Sequence, residues 1–285
     1  IAGTMKWGSW GARLDTAGYT TIIKEALALG ITTFDHADIY GDYTTEAEFG
    51  AVLQQEPSLR SRMQIITKCG IRKVCANRPA YKIKSYDTSA AHIIESVEQS
   101  LRNLHTDYID LLLLHRPDVL MHADEIASAI RQLQQQGKLL HFGVSNHTPH
   151  QIELLRSRIA VVANQVQCSV VHLDPFFDGT LDQCQQHGII PMAWSPLGGG
   201  QIFAGADDER QKRIAAVAQL LADQYATQPD VILLAWLLQH PASIYPVLGT
   251  SKGSRLKAAT AATQVHLQRE EWYMLWRAST GREVA

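Results

Sequence analysis

The segment at residues 34–41, FDHADIYG, decides the fold prediction because it joins a strand-like run to two reactive side chains. Residues 31–34 are apolar or β-branched, and Asp35 and Tyr40 follow them. Two further segments repeat this arrangement: IITKCG at residues 65–70 contains Lys68, and LLLLHRPD at residues 111–118 contains His115. Short apolar runs bounded by polar residues are typical of strands. The sequence therefore predicts three strands that each lead to a side chain capable of acid–base chemistry.

The alternation of strand and helix continues along the chain. Between the apolar runs, apolar residues recur at three- and four-residue spacing, as at residues 93–104, which is typical of amphipathic helices. Gly30, Gly137 and Gly188 follow such patterns, where a left-handed helix terminus favours glycine. Eight strands are expected, around Met5, Ile31, Ile65, Ile109, Phe142, Val162, Ile190 and Tyr245. Eight such units predict an α/β fold in which parallel strands close into a (β/α)8 TIM barrel.

The chain is expected to form one domain over residues 1–285, because no low-complexity linker or composition break divides it. Trp272, Leu275 and Trp276 have helical spacing, which predicts an extra C-terminal helix packed against the barrel. A doubly wound dinucleotide fold is the structural alternative, but it needs a GxGxxG segment after its first strand. The dense glycine run at residues 198–200 follows the seventh strand instead.

The composition excludes several classes of protein. A net charge of −2 provides no global attraction to nucleic acid or to an anionic membrane surface. No apolar run reaches the roughly 20 residues that span a bilayer. The first residues, IAGTMKWG, show no signal peptide and no starting methionine, so we expect the numbering to begin inside a longer cytoplasmic chain. The four cysteines are expected to be reduced thiols, with a redox-sensitive Cys69 beside Lys68 as the alternative.

The strand C-termini of a parallel barrel meet at one rim, where the catalytic residues of this architecture lie. Asp35, Tyr40, Lys68 and His115 are therefore expected to lie close together. A neighbouring positive charge lowers the pKa of a phenol, so Tyr40 can act as a proton donor, while Asp35 keeps Lys68 charged. No metal is expected, because the cysteines and histidines lack ligand spacing. A metal-dependent barrel hydrolase is disfavoured, because the strand ends lack a set of carboxylate and histidine ligands.

These residues resemble the catalytic tetrad of the aldo-keto reductases, and the resemblance covers nearly the whole chain. Three segments match the family's signatures in the right order: FDHADIYGDYTTEAEFG (34–50), LRNLHTDYIDLLLLHRPD (101–118) and QGKLLHFGVSNHT (136–148). The segments DHADIYG and LLLLHRPD are most similar in sequence to the bacterial YdhF-type branch of the family. The resemblance implies an NADPH-dependent oxidoreductase that reduces an aldehyde or ketone to an alcohol. Tyr40 would donate the proton, His115 would orient the carbonyl, and Lys68 with Asp35 would lower the pKa of the phenol.

The resemblance also implies which residues bind NADPH/NADP+. It places the nicotinamide carboxamide against Ser145, Asn146 and Gln165, the nicotinamide ring against Trp194, and the pyrophosphate against the loop of Ser195, Leu197 and Gly198. A turn or a helix cap is the alternative role for the Ser145–Asn146 pair. A core position is the alternative for Trp194.

The segment VLGTSKGSR at residues 247–255 matches the family's loop for the adenosine end of the cofactor. The residues implied are Gly249, Thr250, Ser251, Lys252 and Arg255. Hydroxyls, a lysine and an arginine at the start of a helix suit a 2′-phosphate, so NADPH is preferred to NADH; a merely solvated basic loop is the alternative. Ala258 and Ala259 stand where many relatives carry an acidic residue and an amide that hold the adenine.

Met5 and Trp7, after the first strand, are expected to line the substrate pocket together with Trp10. The expected partner is a small-molecule carbonyl substrate, and the sequence is compatible with a monomer but leaves the oligomeric state open. The alternative function is non-enzymatic, since the same barrel serves as a cofactor-binding regulatory subunit of voltage-gated potassium channels. Turnover of a simple aldehyde with NADPH separates the two functions.

Overall fold

The structure, a computed structural model, describes residues 1–203 and 208–285. The described chain divides into two compact units. The first unit comprises residues 1–165 and 249–253, and the second comprises residues 166–248 and 254–285. None of the helices in these ranges has both the length and the apolar character that crossing a membrane requires.

The first unit is built on parallel strands. Its strands are β1 (Ala2–Gly3), β2 (Thr33–Asp35), β3 (Gln64–Cys69), β4 (Ile71–Arg72), β5 (Ser85–Tyr86), β6 (Ile109–Leu114), β7 (Leu139–Ser145) and β8 (Ala163–Gln167), which ends two residues inside the second unit. Six of them pair in the order β1-β2-β3-β6-β7-β8, with every ladder parallel. Both β3 and β6 are buried along almost their whole length, which explains their continuous apolar sequences.

Five helices of the first unit connect these strands: α1 (Thr16–Ala28), α2 (Thr45–Gln55), α3 (Ala90–Leu104), α4 (Ala123–Gln135) and α5 (Pro149–Arg156). The apolar positions predicted to form the inner face of α3 are buried. Gly30 and Gly137 follow α1 and α4 with φ angles of 76° and 70°, the left-handed values that glycine adopts most readily. The helix periodicity read from the sequence is therefore confirmed in this unit.

The second unit contains β9 (Ile190–Trp194) and β10 (Tyr245–Pro246), which pair in parallel. Its helices are α6 (Thr180–His187), α7 (Glu209–Gln224), α8 (Pro229–Leu238), α9 (Gly253–Thr260), whose first residue belongs to the first unit, and α10 (Arg269–Thr280). The indole of Trp236 on α8 stacks on that of Trp272 on α10 with ring centroids 4.8 Å apart. Each indole N–H donates to the backbone carbonyl of the other tryptophan. The predicted inner face of α10 is thus packed into the core of its own unit.

Two details of the strand prediction are corrected. The first strand ends at Gly3, and Met5 lies beyond it in a turn closed by the hydrogen bond from Trp7 N to Thr4 O. The antiparallel pair of β4 and β5 was not among the predicted strands. Strands of two residues are too short to show alternation, so the sequence carries no periodic signal for them.

Candidate active site

Side chains at the C-terminal ends of neighbouring strands form the candidate site in the first unit. Asp35 is the last residue of β2, Lys68 is the fifth residue of β3, and His115 directly follows β6. The parallel registers pair Asp35 with Ile66 and Lys68 with Leu113, so these ends share one edge of the sheet. Tyr40 enters from the turn that follows β2. The structure therefore brings together all four residues predicted as catalytic.

The Lys68 ammonium group is the centre of the site. Its Nζ atom lies 2.8 Å from each carboxylate oxygen of Asp35, 2.8 Å from the carbonyl oxygen of His36 and 3.1 Å from the hydroxyl of Tyr40. Lys68 and Asp35 are 1% and 2% exposed, so the ion pair is shielded from water. The amide of Gln165 donates to Asp35 Oδ1 at 2.8 Å and satisfies the carboxylate further. A buried charge needs such partners because its desolvation costs several kcal/mol.

Burial and the Lys68 charge act in opposite directions on the pKa of Tyr40. Burial raises the pKa of Tyr40 above its ordinary value, and the opposing effect of the Lys68 charge is smaller. Lys68 acts to lower the pKa of the phenol, as the sequence predicted, but desolvation disfavours the phenolate by more than the lysine stabilises it, so the net shift is upward. Burial acts to lower the pKa of Lys68, but Asp35 and Tyr40 outweigh it and the net shift is upward. Lys68 is consequently charged and Tyr40 is protonated at neutral pH.

His115 is the fourth residue of the site, and its imidazole is neutral at neutral pH. Its ring meets that of Tyr40 edge-on with centroids 5.9 Å apart, and it is 6% exposed. Burial lowers the pKa of His115 well below its ordinary value, and the charges of Lys68 and Arg116 act in the same direction. The Arg116 guanidinium donates to the His115 carbonyl at 2.6 Å and to the Ser145 hydroxyl at 3.2 Å. We had not predicted this bridge, although Arg116 stands beside His115 in the LLLLHRPD segment.

His36 lies behind the site and contributes a pH dependence to stability. Its ring is fully buried, contacts the Thr4 hydroxyl at 3.0 Å and packs edge-on against Phe49. Burial lowers the pKa of His36 from 6.5 to about 3, and the Lys68 charge adds to this effect. In the unfolded chain the His36 imidazole binds a proton more readily than in the folded chain. His36 therefore makes the folded state less stable as the pH falls below about 6.5.

We expect His36→Asn to reduce the loss of stability on acidification. Protonation of this group in the unfolded chain lowers the free energy of unfolding by about 1.4 kcal/mol for each pH unit below the unfolded pKa, which is roughly 2 kcal/mol at pH 5. Urea unfolding at pH 7.5 and pH 5 measures the free energy of unfolding, and the difference between the two pH values should shrink by this amount in the variant. His150→Asn, which changes an exposed histidine, is the control and should leave the difference unchanged. An unchanged difference in His36→Asn would show that His36 is charged in the folded state.

The residues predicted to meet the nicotinamide carboxamide lie at the ends of β7 and β8. The buried Ser145 hydroxyl donates to the carbonyl of Gln165 at 2.8 Å. Asn146 has a left-handed backbone with φ of 53°, and its side chain is half-buried. The side chain of Thr148, not that of Asn146, caps α5. Helix capping therefore does not explain Asn146, whereas its left-handed turn does suit an asparagine.

The second unit carries the residues predicted to meet the nicotinamide ring and the pyrophosphate. Trp194 ends β9 and is half-buried, so it is not a fully enclosed core residue. Ser195 follows with a left-handed φ of 51°, and Leu197 packs against the core of this unit. Gly198 has φ of 58°, and a Cβ atom there would lie 2.5 Å from Val171 Cγ2. The fold therefore requires glycine at position 198 whether or not a ligand is bound.

The loop predicted to bind the adenosine end is partly exposed. Gly249 is exposed with open space around its Cα, and the Thr250 hydroxyl accepts from the backbone N–H of Lys252 at 3.1 Å. Ser251 is half-buried, while Lys252 and Arg255 are exposed around the start of α9. The loop from residue 249 to residue 255 contains two cations and no carboxylate, a donor set that suits a phosphate group.

The structure separates the residues predicted for the substrate pocket. Trp7 is fully buried among Tyr19, Phe34 and Phe49, and its indole donates to Thr250 O at 2.9 Å. It lies in the core of the first unit and presents no surface to a substrate. Met5 is 39% exposed. Trp10 is the tryptophan beside the site, with its ring 6.1 Å from that of Tyr40.

The four cysteines form no disulfides. Cys69 is 1% exposed, and burial raises its pKa well above the ordinary value. A thiol that is inaccessible and protonated does not react readily with oxidants. The redox-sensitive interpretation of Cys69 is therefore not supported.

Comparison with known proteins identifies the family. The model of the Aldo/keto reductase family matches residues 1–279. The chain therefore belongs to the aldo-keto reductase family. It is 46% identical over 266 residues to the oxidoreductase YdhF of Escherichia coli (strain K12), an alignment that covers 93% of this chain and 88% of YdhF. It is 43% identical over 265 residues to a 6-dehydroglucose reductase of Agrobacterium fabrum (strain C58 / ATCC 33970), covering 92% and 88% of the two chains.

Solved structures give the same result. The crystal structure of the thermostable aldo-keto reductase Tm1743 in complex with the inhibitor epalrestat matches with a TM-score of 0.80 and 25% identity, covering 97% of this chain and 93% of that one. The family and this neighbour indicate a (β/α)8 barrel, as the sequence predicted. The similarity to YdhF confirms the resemblance to a bacterial branch and supports an oxidoreductase function.

Proposed function

We propose that the protein is an NADPH-dependent aldo-keto reductase that reduces an aldehyde or ketone to an alcohol. The observation that carries this proposal is the 3.1 Å contact between Lys68 Nζ and the Tyr40 hydroxyl, with Lys68 also bound to both oxygens of buried Asp35. Family membership supports it. We propose further that residues 1–285 act as one oxidoreductase domain and that α10 is an addition to the barrel.

In this proposal Tyr40 is the general acid. Burial keeps its phenol protonated at neutral pH, so the proton is available for the oxygen of the substrate. After proton transfer, the Lys68 ammonium group would stabilise the phenolate that remains, through the hydrogen bond that it already donates to Tyr40. Asp35 keeps Lys68 charged, and neutral His115 orients the carbonyl by donating a hydrogen bond.

The chemistry of the polar groups on the chain fits a bound NADPH. When bound, the cofactor supplies the hydride that reduces the carbonyl carbon. We propose that Ser145, Asn146 and Gln165 hold its carboxamide and that Trp194 contacts its nicotinamide ring. The pyrophosphate would meet Ser195, Leu197 and Gly198, and the adenosine end would meet Gly249, Thr250, Ser251, Lys252 and Arg255.

Arg255→Ala tests the preference for NADPH. The exposed guanidinium forms no hydrogen bond or ion pair with residues 1–203 or 208–285, so it is available to a 2′-phosphate. A charge-assisted hydrogen bond contributes about 1.5–3 kcal/mol, so the dissociation constant for NADPH should rise roughly ten- to a hundredfold. The constant for NADH should change much less, since NADH has no 2′-phosphate. Titration of protein fluorescence measures both constants.

Lys257→Ala is the matched control for Arg255→Ala, because it removes another exposed cation from α9. It should leave both dissociation constants unchanged. Equal losses for NADPH and NADH in Arg255→Ala would mean that the arginine contacts the adenine or supports the fold instead.

Substrate turnover separates the enzymatic proposal from the regulatory alternative. NADPH absorbance is followed with 4-nitrobenzaldehyde and with 6-dehydroglucose, the sugar named for the relative in Agrobacterium fabrum. Oxidation of NADPH that depends on the carbonyl compound supports a reductase. Tight binding of NADPH without turnover of any carbonyl compound would favour the channel-subunit type of function.

A further inference from the structure

The turn between Tyr40 and α2 has a strained backbone. Gly41, Asp42 and Tyr43 are left-handed in succession, with φ angles of 61°, 58° and 72°. Glycine adopts this conformation without cost, and aspartate tolerates it better than most residues. A bulky tyrosine is an outlier there, and such strain persists only where surrounding contacts impose it.

The left-handed turn wraps around the main chain of Tyr40. The carbonyl oxygen of Tyr40 accepts hydrogen bonds from the backbone N–H groups of Tyr43, Thr44 and Thr45 at 3.1, 3.1 and 3.2 Å. If the turn relaxed, these three bonds would be rearranged. The conformation of residues 41–43 therefore sets the position of the Tyr40 backbone and of the phenol that it carries.

Several contacts that hold the turn come from the 71–86 hairpin, which comprises β4, β5 and the residues between them. Lys73 Nζ donates to Asp42 Oδ1 at 2.5 Å, and this hydrogen bond lowers the pKa of Asp42. The amide of Asn77 donates to the Asp42 carbonyl at 2.8 Å. The carboxylate and the backbone carbonyl of Asp42 therefore both accept hydrogen bonds from the hairpin.

Tyr43 is held by the same hairpin. Its hydroxyl donates to the carbonyl of Ile71 at 3.2 Å and accepts from the backbone N–H of Lys73 at 3.0 Å. The Arg78 guanidinium lies 4.2 Å from the centre of the Tyr43 ring, within cation–π distance. The hairpin therefore binds both of the turn residues whose left-handed conformation is costly.

The hairpin is also joined directly to the site. It begins two residues after the end of β3, the strand that carries Lys68. The side chain of Ile71 belongs to the same buried apolar cluster as Tyr40. The hairpin therefore links β3, the strand that carries Lys68, to the turn that follows Tyr40.

We propose that the 71–86 hairpin positions the Tyr40 phenol by holding residues 41–43 in their left-handed conformation, with Lys73 and Tyr43 as the positioning residues. This inference rests on the proposed function, since it concerns the placement of the proton donor. It predicts that loss of these contacts slows the chemical step without weakening the binding of cofactor or substrate.

Two variants test the hairpin directly. Tyr43→Phe removes both hydrogen bonds of the hydroxyl and keeps the ring, and Lys73→Met removes the cation and keeps the length of the side chain. We expect kcat to fall about tenfold or more, because small misplacements of catalytic groups cost up to about a hundredfold. KM for the carbonyl compound and the dissociation constant for NADPH should stay near normal. Amide exchange at residues 41–45 should become faster, and Lys73→Arg should recover most of the lost activity.

The controls are Tyr81→Phe and Lys82→Met, which make the same chemical changes elsewhere in the hairpin. The Tyr81 hydroxyl and the Lys82 ammonium group make no hydrogen bond with the described part of the chain, so kcat should not change. An unchanged kcat in both Tyr43→Phe and Lys73→Met overturns the inference, as does a loss confined to KM.

A double variant separates this inference from the proposed function. If Lys73 acts through the Tyr40 hydroxyl, Lys73→Met should lower the residual rate of Tyr40→Phe only slightly. A further tenfold fall would show that Lys73 acts by another route. Full activity in Tyr40→Phe alone would overturn the proposed function. Loss of activity in Tyr40→Phe but not in Lys73→Met or Tyr43→Phe would overturn only the role of the hairpin.

Discussion

Tyr40→Phe is expected to lower kcat by about 100- to 10,000-fold, the range that general acid catalysis contributes. The variant keeps the ring in its buried cluster and removes only the hydroxyl that contacts Lys68 Nζ. Binding of NADPH should be nearly unchanged, because in the proposed mechanism the hydroxyl acts on the oxygen of the substrate. Steady-state kinetics with 4-nitrobenzaldehyde and a fluorescence titration with NADPH measure the two quantities.

Tyr273→Phe is the matched control for Tyr40→Phe. Tyr273 is 39% exposed, and its hydroxyl makes no hydrogen bond with residues 1–203 or 208–285. Its removal should leave kcat unchanged. Retention of most of the activity in Tyr40→Phe would remove this tyrosine from the mechanism.

Lys68→Met is expected to affect both stability and activity. It leaves the Asp35 carboxylate buried with the hydrogen bond from the Gln165 amide but without its ammonium partner. Removal of one partner of a buried ion pair typically costs about 3–5 kcal/mol, because the other charge stays uncompensated. Urea unfolding should show a loss of this size. The folded fraction should also have little activity, since the ammonium group that hydrogen-bonds the Tyr40 hydroxyl is lost and the remaining Arg116 charge has a smaller effect on the phenol.

Lys24→Met provides the comparison for Lys68→Met. Lys24 pairs with Glu56 at 2.7 Å on the surface, where their side chains are 50% and 39% exposed. Exposed pairs contribute about 0–1 kcal/mol, so this variant should unfold almost like the unaltered protein. Similar losses in Lys24→Met and Lys68→Met would mean that burial does not govern the strength of the Lys68–Asp35 pair.

Local pattern was sufficient to predict much of the fold and the membership of the candidate site. The direction of a side chain follows the period of the strand or helix that contains it. The buried strands β3 and β6 and the inner face of α3 could therefore be predicted from the spacing of apolar residues along the chain. Parallel strands bring their C-terminal ends to one edge. For this reason the positions of Asp35, Lys68 and His115 after their runs were enough to predict that they would meet.

Only the tertiary structure decided the electrostatics of the site and the environment of individual side chains. The upward shift in the pKa of Tyr40 depends on which groups exclude water from its hydroxyl. The burial of Trp7 depends on three aromatic residues from different parts of the chain. The pKa shift of Tyr40 and the burial of Trp7 both depend on every group that surrounds the side chain in space. The local periodicity of the sequence does not show which groups these are.

The left-handed turn at residues 41–43 shows the same limit most clearly. Asp42 and Lys73 are 31 positions apart in the chain. Lys73 lies in a hairpin whose strands of two residues are too short to predict from the sequence. The sequence by itself determined the family, the alternation of parallel strands with helices, and the residues that gather at the strand ends. Only the tertiary structure decided how Tyr40 is held and which charges surround it, because backbone strain and desolvation depend on contacts between segments that are distant in the chain.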